Sequence, residues 1–516
     1  MKKFLKVSLK LFGSVLLVAA LWLLAGVLWP LATPQARQAP DRLLIKDTTL
    51  VDVRAGVLRP NQDILVENGE IIAVGDDLEP GDARLLQARG QFVIPGMFDM
   101  HVHSFKLSPI LTNPLFVAAG VTAVRDMGGC IGIEDTWVAC ADEKRQWDRA
   151  VRESRMIGPR FDQVTSLAIN GGQEVPGGVD RELGAASPAG ARMRVDFDRA
   201  RNIDFLKPYT RIPRDSYFAL AEAARANGLY LAGHKPLSVS GLEAVTAGQR
   251  SIEHAFLFIW ECYPAMDALR ATGDPRAAYT NETRAAMIAG HDEGMCAALR
   301  QAMADANTAF VPTHTTRKLD AFALDDAYRN DPRLRYIPGP LRSFWLNDAD
   351  GMARRAGVQG QSSYLEFYRF GLAQTGIAHA AGVQILAGTD TPDSFAFPGT
   401  GLHDELEHLV QAGLSPLAAL RTATIEPARF LGLEGKAGVI EQGARADLVL
   451  LSGNPLDDIA AVRTTRTVVL AGAVYNRDDL DALLESVEKA ANSWSMWPKF
   501  IWQMLNSPIM RKQFAD

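Results

Sequence analysis

Residues 95–435 alternate short apolar runs with amphipathic stretches of helical period, and eight such runs can be counted. They end near His103 (FDMHVH), Arg125 (VTAVR), Val164 (RFDQV), Lys207 (IDFLK), His234 (LYLAGH), His254 (SIEH), His314 (AFVPTH) and Asp390 (QILAGTD). Strands separated by helical crossovers pair in parallel, so this alternation predicts an α/β fold whose length suits a (β/α)8 TIM barrel with additions. Ionisable side chains close most of these runs, and the C-terminal ends of barrel strands are where such a fold carries chemistry.

The flanks read differently. Residues 37–94 hold short alternating strands, with Asn68-Gly69 as the dipeptide that a tight type I′ hairpin demands. A matching pattern returns only at residues 436–476, with Ala471-Gly472 as a second turn. The two pieces are expected to complete one small split β-sandwich domain into which the barrel is inserted. Residues 477–516 then give a helix and a tail bearing Trp494, Trp497, Phe500, Ile501 and Trp502, a stripe suited either to the core or to a bilayer interface.

Residues 1–36 set the expected compartment. Lys2, Lys3, Lys6 and Lys10 precede residues 11–32, which carry no charge and as helix reach across a bilayer core. The basic flank should stay in the cytoplasm, which places the remainder on the exported, periplasmic or extracellular side of the cell membrane. The apolar stretch is long for a cleaved signal and lacks a good A-x-A-like site, which favours an uncleaved anchor over secretion after cleavage. Export permits disulfides, and Cys130 and Cys140 are close enough to close a small loop or to remain two thiols. No two of the four cysteines have a zinc spacing, so any metal must be held by histidine and carboxylate. A net charge of −6 without a basic patch argues against a nucleic-acid partner.

His101 and His103 lie two apart on one predicted strand, so both face the same side, where imidazoles can share one or two ions. His234, His254, Lys207 and Asp390 close other strands at the same end of the barrel. The segments VIPGMFDMHVHS, DFLKPY, AGHKP, SIEH and LAGTDTP together resemble the amidohydrolase superfamily, in its imidazolonepropionase-like and prolidase-like branch. AAGVTAVRDMGG and GARADLVLLSGNPLDDI extend the likeness over nearly all of residues 41–491. The resemblance implies two divalent metal ions, zinc by expectation, with His101, His103 and Asp390 on the first, His234 and His254 on the second, and carboxylated Lys207 bridging them. An ammonium between two divalent cations would be repelled by both, whereas a carbamate anion would not.

On that reading two metals make a bridging hydroxide available near neutral pH for attack on a carbonyl carbon, and Asp390 carries the proton to the leaving amine. Tyr209, two residues past Lys207, and His314 are expected to contact substrate, while Lys235 should point away from the metals. Residues 317–383, with Tyr336, Phe344, Trp345, Arg354, Tyr364 and Tyr368, suit a substrate-selecting lid. The expected activity is hydrolysis of a small amide or peptide substrate, a dipeptide or N-acyl amino acid. The alternatives are a lactonase or other ester hydrolase and, in a different class, an inactive membrane-anchored binding protein. Homo-oligomerisation is left open.

Overall fold

The computed structural model describes residues 2–273 and 279–513. An N-terminal helix, Lys2–Leu28, is long and apolar enough over Lys10–Leu28 to cross a bilayer, and little of that stretch is buried against the chain. Beyond it, β1 (Arg42–Asp52), β2 (Val57–Glu67) and β3 (Glu70–Gly75) form an antiparallel meander, followed by β4 (Arg84–Gln87) and β5 (Phe92–Pro95). Asn68 and Gly69 take φ of 51° and 76° between β2 and β3, the positive values that a type I′ turn requires.

Two parallel three-stranded sheets come next, one of β6 (Met97–Val102), β7 (Val121–Asp126) and β8 (Arg160–Val164), the other of β9 (Leu231–Gly233), β10 (Gln249–Glu253) and β11 (Ala309–Val311). Among the described residues they do not join into the closed eight-stranded barrel expected from the sequence. The runs ending at Lys207 and Asp390 are irregular and meet the sheets through isolated bridges, Ile169 to Pro208 and Leu206 to Leu231 at one gap, Phe310 to Ile385 and Val102 to Thr391 at the other. Pro208 and Pro392 have no N–H to give a ladder, and Asp390 adopts a left-handed φ of 62°. Local chemistry therefore interrupts the strands where the ionisable side chains emerge.

After this α/β unit, β12 (Leu448–Leu451), β13 (Thr465–Leu470) and β14 (Ala473–Tyr475) return to the first sheet. β12 pairs antiparallel with β5, Leu448 opposite Pro95, so segments on either side of the α/β unit share one ladder. The eight strands β1–β5 and β12–β14 are hydrogen-bonded into one sheet that branches at β1, which is irregular near Ile45 and Thr48 and gives its first half to β4 and its second to β5.

Asp447 ties this sheet to the α/β unit. It accepts from Arg160 Nε at 2.6 Å and Nη2 at 3.1 Å and from the Ala471 N–H at 2.8 Å, and both ionic side chains are buried. Removing one partner would strand the other charge in the core, so Asp447→Ala is expected to destabilise the protein by about 3–5 kcal/mol. Denaturant unfolding of the purified protein checks this.

The insertion after β11 forms a helix at His314–Phe322 and a long helix at Gly339–Ala380. Trp345 is fully buried beside Phe395 and Phe397, and Tyr364 lies under the Arg284 guanidinium at 3.6 Å. Tyr368 packs against Ala321 and Leu372. These three aromatic side chains are taken up in packing; among the described residues of the expected lid, 317–383, it is Arg317 that lines a cavity at the site. Cys130 and Cys140 are disulfide-bonded, and so are Cys262 and Cys296, a pairing that sequence spacing did not suggest.

Candidate metal centre

Strand alternation puts His101 and His103 on one face at the end of β6. Their Nε2 atoms lie 3.2 and 3.1 Å from the same oxygen of Asp390, and Lys207 Nζ lies 3.4 and 3.3 Å from those two nitrogens. Across the site, the Nε2 atoms of His234 and His254 face each other at 2.8 Å. The other oxygen of Asp390 is 3.7 Å from His254 Nδ1, and the His101 and His254 rings are 5.2 Å apart. The six residues singled out as ligands therefore converge on one place. His254 and Asp390 both take positive φ, 77° and 62°, a conformation that residues with a Cβ rarely adopt and that clusters at functional sites.

Several supporting residues were not legible beforehand. Glu253 accepts from His101 Nδ1 at 2.9 Å, and its other oxygen accepts from Arg125 Nη2 at 2.9 Å. Arg125 itself is fully buried and also donates to Met100 O and Ser251 Oγ, so it belongs to the interior and not to the site mouth. With Glu253 holding Nδ1–H, Nε2, which faces Asp390 at 3.2 Å, is the nitrogen that His101 would turn to a metal on giving up its proton. Thr313 Oγ1 lies 2.8 Å from His254 Nδ1, and Asp99 accepts from Thr389 N and Oγ1 at 3.0 and 2.6 Å, linking the run before Asp390 to β6. Glu253→Ala is expected to weaken divalent-metal affinity by about 10–100-fold, the usual effect of losing an outer partner of a ligating histidine. Titration of the metal-stripped protein measures it.

The ligand histidines differ in their electrostatics: burial opposes the charge on His101, yet Asp390 and Glu253 raise it above the usual imidazole range, so it gives up a proton on binding metal, while the other three are lowered. Burial pushes His103 down to about 4, His254 down to about 3 and His234 well below the usual imidazole range, so these rings are neutral with lone pairs available. Burial opposes the charge on Asp390, yet His101 and the hydrogen bonds from His101 and His103 hold it ionised, well below the usual carboxylate range. Burial also lowers Lys207, against the attraction of Asp390 and Glu253, which favours the uncharged amine that carboxylation requires. Against the cost of burial, which Arg125, His101 and Ser251 together outweigh, Glu253 is lowered to about 2.

These donors fit divalent metal. His101, His103 and Asp390 present ligand atoms all within 4.8 Å of one another, and His234 Nδ1 is buried without a hydrogen-bond partner. A second set, Cys262, His291 and Cys296, is also compact, but its sulfurs are bonded to each other and are not thiolates.

Tyr209 lies against His234 with ring centres 4.0 Å apart and the planes tilted by 47°, and it lines the cavity. Lys235 turns away to pair with Glu261 at 3.1 Å. His314 departs from expectation. β11 stops at Val311, Thr313 bends the chain with a φ of 47°, and His314 starts a helix, fully buried, with Nε2 3.0 Å from Thr375 Oγ1. It lines neither cavity at the metal residues.

Those cavities are two lobes that share Tyr209, Thr210, His234 and Asp390. The larger, about 640 Å³, runs past His103 and Lys207 to Phe105, Trp137, Leu167, Ile509 and Met510. The smaller, about 280 Å³, is lined by Phe256, Trp260, Tyr279 and Arg317.

Comparison with known proteins bears on the fold and the family. The chain is similar to the bottromycin amidohydrolase structure, with a TM-score of 0.66 at 21% identity over 88% of this chain and 91% of that one. It is also similar to a Xaa-Pro dipeptidase with methionine bound in the active site, with a TM-score of 0.59 at 20% identity over 84% of this chain and 100% of that one. At such identities the likeness is one of fold. Among curated relatives, a dihydroorotase of Streptococcus thermophilus is 38% identical over 61 residues, 12% of this chain and 14% of that protein. An adenine deaminase of Paracoccus denitrificans is 27% identical over 161 residues, 28% of this chain and 25% of that protein. The chain thus spans only a small part of the length of these curated relatives. The model of the amidohydrolase family matches residues 208–474, beginning just after Lys207 and taking in His234, His254 and Asp390. With more than half of its length so matched, the chain belongs to the amidohydrolase family.

Proposed function

We propose that this protein is a metal-dependent hydrolase of amide bonds, acting on a dipeptide or an N-acyl amino acid. The observation that carries the reading is the convergence of four histidines, Asp390 and Lys207 on one buried place at the junction of two cavities. In this reading His101, His103 and Asp390 hold one ion and His234 and His254 a second, with Lys207 bridging as a carbamate. When bound, two zinc ions would polarise the scissile carbonyl and make hydroxide available near neutral pH.

The remaining work falls to the chain. Asp390 is ionised and faces both lobes, so its carboxylate can take a proton on one side of the scissile bond and deliver it to the leaving amine on the other. Tyr209 stands at the junction beside His234, where it can orient the substrate. Arg317, in the smaller lobe, is paired with Asp320 at 2.8 Å and offers a cation to a substrate carboxylate. Glu253 and Thr313 keep His101 and His254 in their orientations. The N-terminal helix serves in this reading as an uncleaved anchor, with the catalytic unit on the exported side of the cell membrane.

The test is elemental analysis of the purified protein followed by assay against dipeptides, N-acyl amino acids and lactones. About two divalent ions per chain and amide hydrolysis are expected. Lactone hydrolysis without amide hydrolysis would replace this reading with the ester-hydrolase one.

A further inference from the structure

The larger lobe has a wall that the chemistry does not require. Its outer side is formed by Ile509, Met510 and Lys512, which lie on the terminal helix Pro508–Gln513, together with Phe105, Trp137, Val138 and Leu167, so the wall is apolar apart from that one lysine. Asp135 pins that helix in place. It is buried, accepts from Ser507 Oγ at 2.9 and 2.8 Å and from the Ile509 N–H at 3.2 Å, and sits in the loop that the Cys130–Cys140 disulfide closes. The same loop presents Trp137 and Val138 to the lobe, and Thr136 Oγ1 donates to Gln503 O at 2.8 Å.

The preceding helix, Met496–Asn506, has two unlike faces. Met496 and Phe500 are buried, with Phe500 5.0 Å from Trp137, which in turn stacks on Phe105 at 5.3 Å, two residues past His103. The opposite face leaves Trp497, Trp502 and Leu505 exposed, and Trp494 extends it. This helix packs on the C-terminal end of the apolar N-terminal helix. Gly26 leaves no room for a side chain against Pro498, Trp29 meets Trp494 at 5.4 Å, and Lys499 Nζ donates to Val27 O at 2.7 Å. Exposed tryptophans beside the end of an apolar helix match the aromatic belt of a bilayer interface.

From these contacts we infer that the larger lobe receives its substrate from the membrane interface, and that the substrate is an amphipathic N-acyl amino acid whose long alkyl chain lies along Ile509, Met510, Trp137 and Leu167. This rests on the amide-hydrolase reading above and adds to it the acyl part and the route of entry. A cavity of about 640 Å³ with one side apolar but for Lys512 accommodates such a chain, whereas a short dipeptide would leave that side in contact with water.

The test uses the full-length protein in vesicles of phosphatidylethanolamine and phosphatidylglycerol, with acetyl, hexanoyl and dodecanoyl amides of each common amino acid. Each buried methylene is worth about fourfold, so kcat/KM is expected to rise at least about tenfold from acetyl to dodecanoyl on the best amino acid. Met510→Asp should lower the dodecanoyl value at least about tenfold more than the acetyl value. The exposed double substitution Trp502→Glu with Leu505→Glu, checked for unchanged metal content, should lower the ratio of dodecanoyl to acetyl hydrolysis by a similar factor. Equal hydrolysis of all chain lengths would overturn this inference and leave the amide-hydrolase reading standing. A rise that survives the double substitution would overturn entry from the bilayer. Failure of every amide, with metal bound, would overturn the amide-hydrolase reading itself.

Discussion

Replacement of Lys207 by alanine is expected to lower bound metal from about two ions per chain towards one or none, with activity falling by more than the roughly 10–100-fold that loss of an outer partner costs. Lys207 Nζ sits 3.4 and 3.3 Å from the donor nitrogens of His101 and His103, in a buried place where burial disfavours its charge. An ammonium there would compete with a cation, while a carbamate would add an anionic ligand. Short carboxylic acids that fill the vacated space should restore part of both metal content and rate, and Lys207→Arg should not respond to them, since guanidinium stays charged. Elemental analysis alongside rate measurement checks this. Two tightly bound ions at near-normal rate in Lys207→Ala would remove the carbamate bridge in favour of a site that does not use Lys207.

For Asp390 the two readouts should separate. Asp390→Asn keeps an oxygen where His101 and His103 now find one at 3.2 and 3.1 Å, but it removes the proton carrier. Metal content should fall less than in Lys207→Ala, while turnover drops by at least about 10²–10⁴, the range for loss of general acid or base catalysis. Asparagine cannot reproduce the charge that the surrounding histidines stabilise, so some loosening of metal is also expected. Full metal retention with a turnover loss below about tenfold would move the proton-carrying role to another group.

Features set by neighbouring residues were open to reading along the chain. His101 and His103 share a face because a strand alternates every second residue, and Asn68-Gly69 turns the chain because both residues tolerate positive φ. The apolar N-terminal helix follows from its length and lack of charge. The same local rules misplaced His314, which follows a strand-like run just as His254 does. Backbone bends decided between them: His254 turns at its own φ of 77°, whereas Thr313 bends one residue before His314 and sends it into a buried helix start. Strict alternation would also have put Glu253 and His254 on opposite faces. The bend at His254 instead lets Glu253 reach His101 from below while His254 faces His234. Arg125, the Cys262–Cys296 pair and the wall formed by Ile509 and Met510 depend on partners far away in the chain. Periodicity encodes which face a residue takes within its own element, but contacts between distant elements are set by packing and by the few backbone bends that packing stabilises, and only the tertiary structure decided those.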